Sequence, residues 1–329
     1  EKNLRYTVLG FGDRQFPNFC QFALSVDAAL AGKGVSRLHA IELIDRCSAS
    51  QFSEWGNRVG EVIGTPLFLN YCALQPATVK LELVERADYG IAVQAPTSIF
   101  RFKPAEQGGW LTASPRRFKA LPPFEAGDLV GVMPPYGQAP RFYSLASSAN
   151  DEIVEICVRK QAGGLCSGYL HDLKPGDCID GFIRPNPGFR PATGNRPVIL
   201  VGAGAGIGPL TGFIRNNTSC NPMYLYWGGR DARSDFLYQP ELGRYLEDHR
   251  LSGLNTAFSR TDERAYVQDK LKQDELAVRQ MVNTGAQILV CGGRDMAAAV
   301  RQVIEDIIKP LHIDIETLRG QGRYLEDVY

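Results

Sequence analysis

Three rhythms of apolar and polar positions follow one another along the chain. In residues 1–63, "YTVLGFGD" is an apolar run ending in glycine and aspartate, and it predicts a strand. "FCQFALSVDAALAGKG" has helical spacing and a glycine stop, and "RLHAIELID" reads as a second strand. "SASQFSEWGNRVGEVIG" reads as a helix whose leading serines suit an N-cap. Such alternation belongs to a parallel α/β sheet. Two strands are too few for one, so residues 1–63 read as half a domain.

Residues 64–192 change period. Short β-type runs dominate: "TVKLELVERADY", "IAVQA", "IFRFKP", "LVGVMP", "IVEICVRK" and "CIDGFIRP", parted by Gly, Pro and Asp turns. That is the pattern of an antiparallel barrel or sandwich, with one short helix expected near Ser167. Residues 193–329 return to α/β alternation, with strands expected at "PVILVGA", "MYLYWGG", "NTAFSR", "QILVCGG" and the final "RYLEDVY". The expected fold class is an antiparallel barrel followed by a parallel-sheet α/β domain, preceded by a partial α/β segment.

Composition narrows the function classes. A chain of 329 residues suggests two or three domains. The formal net charge is zero, which argues against nucleic acid or an acidic membrane surface as partner. The longest apolar run, "PVILVGAGAGIGPLTGFI", is broken by glycine and proline, so no membrane contact is expected from this segment, and no leader peptide is visible. The eight cysteines form no C-x-x-C pair, which fits reduced thiols and a cytoplasmic location. The histidines are isolated, so no metal is expected. Glutamate at position 1 suggests a piece of a longer chain, and a membrane anchor upstream of it stays open.

Two stretches carry the chemistry. In "VILVGAGAGIGPLTGFI" a buried strand meets Gly202, Gly204, Gly206 and Gly208, then Pro209 and a helix start. Glycines let a backbone approach a pyrophosphate, and a helix N-terminus offers free N–H groups to it. The spacing departs from G-x-G-x-x-G because Ile207 stands where the third glycine would be. The same loop also suits a structural strand-to-helix turn. Asp231 could hold ribose hydroxyls, but Ser259 and Arg260, then Arg264, Tyr266 and Gln268, favour a phosphate dianion instead. The other stretch is "RFYSLASS" at 141–148, which is either an ordinary strand edge or half of a cofactor site.

Taken in order, these motifs resemble the ferredoxin–NADP reductase superfamily over nearly the whole chain. They most resemble the FAD/NADPH half of diflavin reductases such as cytochrome P450 reductase and the sulfite reductase flavoprotein. "RFYS" resembles the family's R-x-Y-[ST] flavin motif. The resemblance implies that Arg141 pairs with the FAD pyrophosphate, that Phe142 and Tyr143 belong to the flavin site, and that Ser144 hydrogen-bonds near flavin N5. "GGLCSGYL" resembles G-x-C-[ST], implying that Gly164, Leu165, Cys166 and Ser167 hold the pyrophosphate. "CVR" implies Cys157, Val158 and Arg159 along the isoalloxazine edge, and "LKPGD" is similar to plant-type reductases.

On the coenzyme side, the resemblance implies that Gly202, Gly204, Gly206, Gly208 and Pro209 cradle NADPH. Arg230, Ser259, Arg260, Arg264, Tyr266 and Gln268 would read its 2′-phosphate, with Arg264 where a lysine is usual. Cys291 in "VCGGRDMAAAV" would sit near the nicotinamide, and "GRYLEDVY" would supply Asp327 as an acidic partner and Tyr329 to stack on the flavin. Ser144, Cys291, Asp327 and Tyr329 are thus the implied catalytic residues.

Two departures qualify the resemblance. The large helical insertion usual before R-x-Y-S is missing, so the barrel has the compact, plant-type length. "YTVLGFGDRQFPNFC" resembles the last FMN loop of a flavodoxin-like domain, with Gly12, Asp13 and Phe16, while the FMN phosphate loop is absent. FMN is therefore expected only with the missing half-domain. The implied domains are 1–63, a partial flavodoxin-like segment; 64–192, an FAD-binding barrel; and 193–329, an NADPH-binding α/β domain. The expected activity is hydride transfer from NADPH to FAD, then single electrons to an FMN domain or another one-electron acceptor protein. The competing readings are a docking module with little turnover and an NADH-preferring flavin reductase.

Overall fold

The computed structural model describes residues 4–12, 14, 18–45, 48–69, 77–105, 121–135 and 140–329. The chain divides into two compact units, Glu1–Ala77 and Thr78–Tyr329.

The first unit runs β1 (Arg5–Tyr6), β2 (Leu9–Gly12), α1 (Gln21–Gly32), β3 (Ser36–Arg37), β4 (Glu42–Asp45) and α2 (Ala49–Ile63). β1 pairs with β3 and β2 with β4, both in parallel. α2 has both signals that the sequence offers: the Ser48 side chain accepts from the Gln51 amide, and Gly64 stops the helix at φ 70°. α1 buries only Asp27, which the Arg37 guanidinium grips with bonds of 2.9 and 2.7 Å. Phe22, at 83% exposed, and Leu24 lie open on the same helix.

The second unit begins with β5 (Val79–Tyr89), β6 (Thr97–Pro104), β7 (Leu129–Met133), β8 (Arg141–Ser144), β9 (Val154–Arg159), α3 (Leu165–Asp172) and β10 (Cys178–Arg184). The strands pair antiparallel in the order β8-β7-β10-β5-β6-β9. Just past β8, Leu145 pairs with Ile156 of β9, and the Ala146 amide donates to the Glu155 carbonyl at 2.8 Å. Those bonds join the two outer strands and close the sheet. Leu81, Leu83, Phe100, Phe102, Val130 and Ile156 fill the interior. The strand expected at "IAVQA" is not one. Tyr89 of β5 already faces Thr97 of β6, so residues 90–96 must turn the chain, and Gly90 at φ +72° begins that turn.

The parallel part follows: β11 (Val198–Ala203), α4 (Ile207–Arg215), β12 (Met223–Gly229), α5 (Ala232–Asp235), α6 (Gln239–Glu247) and β13 (Gly253–Phe258). α7 (Val267–Gln273), α8 (Glu275–Asn283), β14 (Gln287–Gly292), α9 (Arg294–Ile308), α10 (Ile315–Gly320) and β15 (Tyr324–Val328) complete it. The strand order is β13-β12-β11-β14-β15. β11 is the switch point: the chain adds strands on one side of it, then on the other, and ligands favour the carboxyl ends there.

One face of this sheet packs on α7 to α10. The other shares a core with the barrel, in which Ile99, Ala146 and Cys157 meet Ile207, Leu210 and Cys291. α4 comes so close that a Cβ on Gly212 would stand 2.7 Å from the Ala146 carbonyl, and one on Gly208 3.3 Å from the Cys157 Cβ. Barrel and parallel sheet thus form one body.

Candidate functional site

The site grows from the turn after β11. Its four glycines have different physical tasks. Gly204 sits at φ +53° with nothing near its missing side chain, leaving an open backbone surface. Gly206 is the opposite case, since a Cβ there would collide with the Cys291 carbonyl of β14. Gly202 is hemmed in by Leu210, and Gly208 and the buried Pro209 begin α4. Only Gly204 of the four faces the cavity beside the turn.

That cavity, of about 340 Å³, is lined by the ends of β11, β12 and β13 together with Arg159 of the barrel. Arg230, Ser259, Tyr266 and Gln268 also line it. The Arg230 guanidinium donates to the Val93 carbonyl at 2.7 Å. Burial lowers its pKa, and the neighbouring guanidiniums of Arg159 and Arg260 lower it further. Arg159 and Arg230 line the opening and Arg260 lies close enough to act on Arg230, so an anion there is stabilised, offset in part by the Asp235 and Asp295 carboxylates of the same lining. The Arg264 guanidinium lies over the Tyr266 ring, 5.2 Å from its centroid, and also bonds the Tyr266 hydroxyl. Asp235 holds the wall: its carboxylate accepts from the Arg230 and Asp231 amides at 2.9 and 2.7 Å. Asp231 itself caps α5 and pairs with Arg233, away from that wall's lining.

The second half of the site lies on the barrel. On β8, Arg141 and Tyr143 share a face, and the Tyr143 hydroxyl lies near the Cys166 thiol at the start of α3. Burial pushes the Tyr143 phenol up, and Cys166 adds to this. Gly164 leaves room for the Ser167 hydroxyl, which accepts from the Gln161 amide at 3.1 Å and closes the turn into α3. Leu165 is exposed beside it. Phe142 points to the other face. Its ring meets Phe182 edge-on at 5.8 Å, with the Arg184 guanidinium 5.1 Å away, across the gap left by Gly131. Val158 is also turned away, buried inside the barrel, whereas its neighbours Cys157 and Arg159 face the parallel sheet.

The two halves meet at β15. Asp327 stands beside Cys291 in the strand register. The Ser144 hydroxyl donates to the Asp327 carboxylate at 2.6 Å, bridging 183 residues of sequence. Cys291 is fully buried, and burial holds its thiol protonated, with Asp327 adding to this. The Tyr329 amide donates to the Gly292 carbonyl at 3.2 Å. Tyr329 remains 60% exposed as a residue, yet desolvation of its phenol raises the pKa, with Cys291, Cys157 and Asp327 close enough to add to the rise. Ser144, Cys291, Asp327 and Tyr329 are therefore brought together.

Other sequence expectations lie elsewhere. Gly12 ends β2, pressed against Cys20, while Asp13 and Phe16 lie outside the described residues. Missed from the sequence were Ala95 and Thr97, which the β5–β6 turn carries to the cavity, and Asp235, Asp295 and Met296. The string "GGRD" occurs twice, at 228–231 and 292–295, and does not by itself separate Asp295, which lines the cavity, from Asp231, which does not. Among the described residues, no helix is long and apolar enough to cross a membrane.

Residues 200–302 match the model of the oxidoreductase NAD-binding domain. The chain is 35% identical over 217 residues to the NADPH–cytochrome P450 reductase of Dictyostelium discoideum, covering 57% of this chain and 32% of that protein. It is 36% identical over 230 residues to the sulfite reductase [NADPH] flavoprotein alpha-component of Vibrio vulnificus, covering 62% and 37%. The counterpart from an Enterobacter strain matches over 288 residues at 30% identity, 79% of this chain and 45% of that one. The chain thus spans between 32% and 45% of the length of these relatives. A closed antiparallel sheet docked on a parallel one, the NAD-binding match and these similarities together liken the chain to the ferredoxin–NADP reductase superfamily and, within it, to the diflavin reductases.

Proposed function

We propose that the chain is an NADPH-dependent flavoprotein reductase module that takes hydride from NADPH onto FAD and passes single electrons to an acceptor protein. The observation that carries this reading is the Ser144–Asp327 hydrogen bond, which brings the R-x-Y-S strand of the barrel to the carboxyl end of β14 and β15. FAD fits the barrel half: the Arg141 charge and the Tyr143 ring share a face beside the first turn of α3, and Gly164 keeps that turn open. When bound, FAD supplies the hydride acceptor and the means to release electrons one at a time. NADPH fits the cavity: Gly204 exposes backbone to its pyrophosphate, and Arg230 and Arg260 with Ser259 receive the 2′-phosphate.

The chain's own residues then orient. The Asp327 carboxylate holds the Ser144 hydroxyl, fixing where its oxygen points. The buried, neutral Cys291 keeps water from the wall beside them. Tyr329, beside Cys291 and Asp327, would cover the flavin and would have to leave it to admit a nicotinamide. Of the expected 64–192 and 193–329 segments, residues 78–192 and 193–329 are the FAD and NADPH lobes, and residues 64–77 go with the first unit. Residues 1–63 are the later half of a flavodoxin-like unit, supported by its parallel strand–helix–strand–helix order. FMN then requires the earlier half.

The test is an anaerobic absorbance spectrum of the chain loaded with FAD, before and after NADPH, with NADH as control. Fast bleaching by NADPH and slow bleaching by NADH is the expected result. A chain that takes up no FAD, or whose flavin neither coenzyme bleaches, is a docking module instead.

A further inference from the structure

β15 lies at the edge of the parallel sheet, bonded to a neighbour on one side only. Edge strands with one partner open more readily than central ones. Yet this strand carries Asp327 and leads to Tyr329. Its alternation sends Leu325 and Asp327 toward the barrel, and Tyr324 and Glu326 toward α9 and α10. On that far face, the Arg301 guanidinium of α9 donates to both Glu326 oxygens, at 3.1 and 2.8 Å. The Arg319 guanidinium of α10 donates at 2.7 Å, and the Tyr324 hydroxyl at 3.0 Å. The Glu326 side chain is only 13% exposed. Arg319 also lies over the Tyr324 ring, 5.5 Å from its centroid.

From this geometry we propose that Glu326 is a positioning residue for hydride transfer. Two guanidiniums anchored on two helices hold one carboxylate, and the next residue along the strand is Asp327. Loosening Glu326 lets β15 shift in its register plane and carries Asp327 off Ser144. Glu326 does not line the coenzyme cavity, and Arg159, Arg230 and Arg260 stand on β9 and past the ends of β12 and β13. α9 does reach the cavity, through Asp295 six residues before Arg301, so KM for NADPH is read in both variants. The proposal rests on the reductase reading above, and its first readout does not.

The whole chain is compared with Glu326→Gln and, as a gentler variant that keeps every charge, Arg301→Lys. Amide hydrogen exchange without flavin is followed in residues 324–329 and 287–292. The FAD-loaded proteins are then assayed with NADPH and ferricyanide. In Glu326→Gln, exchange in 324–329 should quicken about tenfold, together with the β14 amides bonded to that side such as Ile288, while the β14 amides bonded to β11 stay as in the unsubstituted chain. A displacement near 1 Å predicts kcat lower by roughly 10- to 100-fold, with KM for NADPH within about twofold. Arg301→Lys should fall between, and decides the matter if Glu326→Gln does not fold. Unchanged exchange in 324–329, exchange raised evenly through β14 and α9, or unchanged kcat would each overturn the positioning role. An unsubstituted chain that never oxidises NADPH defeats the reductase reading, whereas the exchange result still judges the clamp.

Discussion

The turn after β11 has a crowded side and an open side, and the two are built by different physics. On the crowded side, Gly206, Gly208 and Gly212 let α4 meet β14 and the barrel with no side chain between. Close by, fully buried Glu155 of β9 is gripped by Arg101 at 2.6 Å and by Arg215 of α4 at 2.8 Å. On the open side, Gly204 meets nothing, and Arg159, Arg230 and Arg260 gather around a cavity. Position is secured by contact on one side, and on the other charged groups, Asp235 and Asp295 among them, face open space. Substitutions on the crowded side should therefore cost stability, and those on the open side affinity.

The largest effect belongs to Glu155→Ala. It takes a buried carboxylate from two guanidiniums, of which Arg101 keeps Glu85 and Glu241 and Arg215 keeps Asp151. The two lost charged hydrogen bonds should cost about 3 kcal/mol, read as a lower denaturant midpoint. Gly206→Ala comes next. Its methyl must push the Cys291 carbonyl away, at about 1–3 kcal/mol, whereas Gly204→Asn, whose side chain tolerates positive φ, should leave the melting curve almost unmoved. Equal losses at the two glycines would break the comparison. Arg260→Ala should leave stability alone and raise KM for NADPH by about 10- to 100-fold with little change for NADH, as expected when a charged hydrogen bond worth roughly 1.5–3 kcal/mol is lost.

The smallest effect is one of pH. His171 of α3 donates from Nε2 to the Val158 carbonyl at 3.1 Å and meets the Phe100 ring edge-on. Burial lowers its pKa below the ordinary 6.5, and the Arg86 charge helps. Unfolded chain therefore binds this proton more readily than folded chain does. Stability from this group is present above pH 6.5 and declines as pH falls below it. His171→Gln should flatten that part of a stability–pH curve, and an unchanged curve would show that the proton has no such effect.

How far the sequence spoke depends on range. The glycine turn, the RFYS strand and "FSR" were legible because each motif lies on one strand and its turn, where type and spacing carry the chemistry. "IAVQA" misled because its β-type composition is local, while the pairing of Tyr89 with Thr97 that forces a turn is not. That error also hid Ala95 and Thr97 from the cavity. Phe142 shares a motif with Arg141 and Tyr143, but strand alternation sends it to Phe182, 40 residues on. Glu155 and Glu326 left no local trace: Arg101 and Arg215 stand 54 and 60 residues from the one, and Arg301 lies 25 from the other.

The 183-residue span between Ser144 and Asp327 also bears on how the protein comes into being. Closing so long a stretch of chain is entropically costly and comes late, after local elements have formed. A chain with only its barrel folded holds Ser144 without Asp327, and one with only its parallel sheet holds the reverse. Neither half-made species presents the assembled pair. During synthesis and refolding, competence for chemistry should therefore appear abruptly with the final docking event, and catalytic turnover doubles as a readout of completed assembly.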